Sequence, residues 1–88
     1  MTIRDLAKRV AYIADIMIPW EFSDVYRDME EAIECISSEL ETDPELHFSA
    51  LEDFEEMLDD DDPIARQIAS IRADVADLVI AKRERRTA

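Results

Sequence analysis

Glycine and asparagine are both missing from this chain of 88 residues. They supply the left-handed backbone of tight hairpin turns and of many helix C-caps, so their absence argues against a β-rich fold. Cysteine occurs once, at Cys35. A single thiol closes no internal disulfide, which fits a reducing compartment without requiring one. No apolar run approaches the roughly 18–20 residues that span a bilayer. The apolar part of the first segment is interrupted by Asp15 and has no small-residue cleavage site behind it. The expected location is cytoplasmic. The most informative shortage is of positive charge: between Asp28 and Ala65 there are sixteen Asp and Glu residues and no Lys or Arg.

The flanks have a different balance. Residues 1–27 hold four acids and four bases, and residues 66–88 hold three acids and six bases, so the net charge of −13 comes from the middle. Such a block raises repulsion within the fold and resists nonspecific association. At 48% apolar residues the chain is nonetheless too apolar for a disordered acidic tail. It reads as a single acidic domain, 1–88, with a modest core, since a chain this short buries about 60–68% of its unfolded surface.

Apolar positions recur at spacings of three and four along nearly the whole length, which predicts an all-α fold. Four helices are expected, over about 3–18, 20–41, 44–58 and 63–83, as a compact antiparallel bundle joined by short Asp-Pro turns. Thr2 and Asp5 suit an N-terminal cap ahead of Ile3, Leu6, Val10, Ile13 and Met17, and Pro19 ends that stripe. Phe22, Val25, Met29, Ile33, Ile36 and Leu40 continue the rhythm in the second segment. Asp43-Pro44 signals a third start, carrying Leu46, Ala50, Phe54 and Leu58, although Ser49 with Glu52 would also cap a helix beginning at Ala50. Asp62-Pro63 opens the fourth, on Ile64, Ile68, Ile71, Val75 and Leu78; residues 82–88 form a basic tail expected to fray. The fourth segment is apolar off its stripe as well, so it is either the central helix or a homodimer face at Ala69, Ala76 and Val79.

On these helices the acids form rows: Asp24, Asp28, Glu31 and Glu34 on the second, and Glu52, Glu55, Glu56 and Asp59 on the third. Like charges three or four apart each cost a helix about 0.2–0.5 kcal/mol, and no Lys breaks the rows. A surface of this kind is expected to dock onto a basic, nucleic-acid-binding surface of a partner protein, blocking it by occupation and without direct contact to nucleic acid. In size, charge and lack of motif the chain is similar to phage-encoded inhibitors of host defence nucleases; that likeness is one of class and carries over no residue. The alternative is a helical adaptor, escort or antitoxin-like protein acting through an apolar dimer face. Adaptation to high salt would load the whole surface with acids, whereas residues 66–88 carry net +3. Trp20 is a possible anchor for a partner, because Trp is favoured at interface hot spots.

Catalytic residues, cofactors and metal ligands are not expected. An EF-hand loop starting at Asp59 needs Gly and Glu where Ile64 and Ser70 stand. His47 is the sole histidine and is placed near the start of the third helix, and Cys35 is read as a small apolar side chain packed beside Ile36. Crowded carboxylates can shift one another's pKa, which leaves a small carboxylate enzyme as a remote alternative, but a short helical domain has little room for a concave site.

Overall fold

A computed structural model describes residues 2–87, with side chains placed to Arg85; the side chain of Arg86 and residue Ala88, both in the expected basic tail, lie outside the described residues. Those residues are all-helical, in five helices where four were expected: α1 (Ile3–Met17), α2 (Pro19–Val25), α3 (Met29–Thr42), α4 (Pro44–Glu56) and α5 (Pro63–Thr87). The α1 start follows from its sequence. Thr2 Oγ1 accepts from the Asp5 N–H at 3.1 Å, and the Asp5 carboxylate accepts from the Thr2 N–H at 3.4 Å, a reciprocal capping box. The hydrogen bond from the Thr2 backbone holds Asp5 below its ordinary pKa. Pro19 terminates α1 and also serves as the first residue of α2, with only Ile18 between them.

The expected helix over 20–41 is broken at Tyr26, Arg27 and Asp28. Tyr26 and Asp28 both have extended backbone. Asp28 Oδ1 accepts from the Glu31 N–H at 2.9 Å, and Glu31 Oε2 accepts from the Arg27 N–H at 2.8 Å. Two carboxylates assigned by periodicity to the face of a continuous helix are instead the cap of a new one. The break also changes which residues face inward: Val25 is 65% exposed, while Tyr26 packs on the core with its ring 5.2 Å from that of Phe22.

α4 starts at Pro44, so Ser49 and Glu52 lie inside the helix and the later start at Ala50 is not used. Its buried line also differs from the expected stripe. Leu46 is 52% exposed, and Leu51, outside that stripe, is completely buried. The inward line runs through Pro44, His47, Phe48, Leu51 and Phe54, and the polar His47 within it interrupts the hydrophobic signal. The helix ends at Glu56, not 58, so Leu58 and Asp59 lie in the turn after it, Leu58 still packed on the core. α5 continues to Thr87, past the expected end at 83.

α1 packs mainly on α3 and α4 mainly on α5, while α5 also meets α1 and α3. The assembly measures 40 × 32 × 20 Å, so it is two helix diameters thick at about 10–12 Å each. Two ion pairs give the sense of the α4/α5 pair: Glu45 meets Arg83 and Glu55 meets Arg72, so numbers rise on one helix as they fall on the other. One core joins all the elements, with Leu6, Val10, Ile36, Leu40, Leu51 and Val75 among its buried members. Val79 is buried within the chain, and Ala69 and Ala76 are half-buried, each lining a groove together with α4 residues.

The α4 register yields a paired prediction. Leu51→Ala should lower unfolding free energy by about 2–5 kcal/mol, whereas Leu46→Ala should stay within about 0.5 kcal/mol. Chemical denaturation followed by circular dichroism measures both; equal losses would contradict the described orientation of α4.

Candidate functional site

The eight carboxylates of the expected rows fall into two groups. Asp28 and Glu31 cap α3, with Glu31 also 3.5 Å from the Arg27 guanidinium, and Glu55 pairs with Arg72 at 2.8 Å. These three serve the fold. Asp24, Glu34, Glu52, Glu56 and Asp59 are exposed and have no hydrogen-bond or ion-pair partner among the described residues. Their charge is open to a partner.

Three of the α4 acids converge. Glu52, Glu55 and Glu56 line a shallow groove of about 400 Å³ with Asp60 from the following loop, and the groove is closed on the α5 side by Ala65, Arg66 and Ala69. Small residues on α5 let the two helices approach, and an antiparallel pairing puts the C-terminal turn of α4 beside the first turns of α5. The result is a carboxylate-lined depression with a single guanidinium at its edge. Asp24 and Glu34 lie on α2 and α3 and line none of it. The two expected rows are thus one groove and a more scattered set on the other helix pair. Among the described residues no three His, Cys, Asp or Glu side chains come together in a metal-holding arrangement.

Trp20 is 68% exposed. It lies four residues before Asp24 on α2, so the ring and that carboxylate share a helix face. Cys35, expected to pack beside Ile36, is exposed; it stands on the outward side of α3 while Ile36 turns inward. The bases of α5 reach the acidic helices: Arg83 pairs with Glu45 at 3.2 Å, and Lys82 donates to the Thr42 carbonyl, the last residue of α3. α3 has no base in its own last turn, so Lys82 supplies the cation that its C-terminal dipole favours. Arg9 on α1 reaches Asp74 on α5 at 2.6 Å. None of these long-range pairings has a spacing signal in the sequence. The α3 cap does have one: Asp28 followed three residues later by Glu31 matches the capping-box pattern, but uninterrupted hydrophobic periodicity masks it. No helix among the described residues is long and apolar enough to cross a membrane.

His47 sits between the acidic helices and the core. Its Nε2 is sealed from solvent without a hydrogen bond, with Glu39 Oε2 at 3.5 Å, beyond the usual length. Burial lowers its pKa from the ordinary 6.5, against the opposing pull of Glu39 and Asp43. The unfolded chain therefore binds a proton that the folded chain refuses. The associated stability is complete above pH 6.5 and is lost as the pH falls from there through the lowered folded value. Thermal melts of the wild type and His47→Gln between about pH 8 and 5 should show the wild type losing ground to the variant on acidification. Taking the difference cancels carboxylate protonation, common to both proteins; a pH-independent gap would remove His47 from the account.

No family model, curated protein or solved structure matches this chain, and the function has to be read from its own residues.

Proposed function

We propose that the chain is a non-enzymatic interaction protein. It docks a carboxylate-rich surface, centred on the α4–α5 groove, onto a basic surface of a partner protein built to hold nucleic acid. The observation that carries this reading is the surplus of unpartnered carboxylates. Arg27, Arg72, Lys82 and Arg83 are engaged with the chain's own carboxylates or carbonyls, yet Glu52, Glu56 and Asp59 stay open beside the groove, with Asp24 and Glu34 on the other helix pair. Rows of like charge lower the fold's own stability by tenths of a kcal/mol per pair, so an opposite charge on a partner is what would offset them. Lys and Arg lining a nucleic-acid groove offer that charge at a density set by phosphates, and occupying the groove blocks it without chemistry. Trp20 and Asp24 on one face of α2 add an aromatic anchor next to a carboxylate. The competing reading, an adaptor acting through an apolar face at Ala69, Ala76 and Val79, is less supported, because Val79 is occupied within the chain.

The decisive variant spares the carboxylates that hold the fold. Glu34→Lys, Glu52→Lys, Glu56→Lys and Asp59→Lys together should slow association with the captured partner by at least about tenfold while the melting temperature stays level or rises. The partner is first isolated by affinity capture from the native host, and elution by raising NaCl from about 0.1 to 0.5 M is expected, since the Debye length shrinks over that range. Unchanged capture by the quadruple variant, or capture indifferent to salt, would overturn the proposal.

A further inference from the structure

A second concavity lies on the molecule, unrelated to the acidic groove. It is enclosed by α1, α2, α3 and α4, has a volume of about 170 Å³, and is walled by Val10, Ala14, Phe22, Ile36, Leu51 and Phe54. Three polar side chains join the lining: Glu21, Tyr26 and His47. Glu21 is exposed, as is Val25 near it, so these two mark the mouth. Tyr26 and His47 are half-buried.

We infer that this cleft is a binding site for a small, neutral aromatic molecule carrying one hydrogen-bonding group, of the size of phenol or indole. Volume sets the size: a dry apolar cavity of about 150 Å³ accommodates benzene. The rings of Phe22, Tyr26 and Phe54 set the class, since Phe22 and Tyr26 already meet at 5.2 Å and 60°, a tilted geometry that a further ring can extend. Charge is excluded on both sides. No Lys or Arg lines the cleft to hold an anion, and a cation taken past Glu21 would lose its hydration to an apolar wall. Tyr26 and His47 are the half-buried polar side chains of the lining that a ligand's single hydrogen-bonding group can meet. His47 Nε2 itself is sealed and faces the Glu39 carboxylate at 3.5 Å, so the rest of the ring borders the cleft. α2 supplies the entrance: it is seven residues long, is held to the core by Phe22 as its one buried residue, and is joined on both sides by non-helical backbone, at Ile18 and at Tyr26–Asp28. Lifting it uncovers little apolar surface.

Indole, phenol and benzoate are suitable probes on the intact chain. Indole or phenol at ten times its Kd should raise the melting temperature by several degrees, and NMR should show shifts at the His47 ring protons and at the Phe22 and Phe54 rings. Benzoate, matched in size but charged, should do neither. Val25→Trp at the mouth and Ala50→Phe in the wall should abolish the response; Val25 is exposed, so its variant folds even if the wall variant does not. Absence of ring shifts with both neutral probes at about 10 mM, where even weak fragment binding registers, would overturn the inference and leave a packing void. So would shifts confined to other residues, an equal response to benzoate, or a response surviving Val25→Trp.

Discussion

A segment with sixteen acids and no base cannot neutralise itself, and the fold is arranged around α5, which supplies cations to Glu45 and Glu55 and leaves most of the acids open. α5 brings Arg72 and Arg83 to α4 and Lys82 to the end of α3. It is also central by packing, since Ile68, Ile71 and Val75 are buried at its contacts with the other helices. Magnitudes decide which effect dominates. Burying each of those aliphatic side chains is worth about 1.5–3 kcal/mol, whereas each partly exposed ion pair is worth about 0–1 kcal/mol. Burial therefore provides the stability. The ion pairs favour the antiparallel α4/α5 alignment, because the other sense would take Arg72 and Arg83 away from Glu55 and Glu45.

The break between α2 and α3 shows how a local rule can be outweighed. A continuous helix would satisfy the apolar periodicity from Phe22 to Leu40. It would also place Asp28 and Glu31 in a run of like charge along one helix. Breaking the helix turns those two carboxylates into acceptors for backbone N–H groups, next to the positive end of the α3 dipole, where negative charge is favoured. It also leaves α2 as a short roof over the apolar cleft. The same break thus gives both carboxylates backbone N–H partners while Asp28 stays exposed and Glu31 partly so.

The candidate surface was legible in outline and not in membership. Composition located the acids, and periodicity put Glu52, Glu55 and Glu56 on neighbouring positions of one helix, as found. The distinction between Glu55, held by Arg72 from seventeen residues away, and Glu56, left free, depends on tertiary geometry. So does the capping role of Asp28 and Glu31, although the Asp-x-x-Glu spacing carried a signal that the stronger hydrophobic rhythm obscured. The α4 register is hidden in the sequence for a related reason. His47 stands on the buried line, and a polar residue there makes the exposed Leu46 look like the inward position.

What the sequence by itself determined is local. Missing Gly and Asn, apolar residues at three and four residue intervals, the cap at Thr2 and the Asp-Pro steps at Pro44 and Pro63 suffice for an all-helical chain and for the starts of α1, α4 and α5, because those depend on residues within one turn of each other. What only the tertiary structure decided is which face of α4 turns inward, which carboxylates find a cation, and that α1 to α4 enclose an apolar cleft around His47. Each of these depends on side chains distant in sequence, and their meeting is set by how α5 and its neighbours pack.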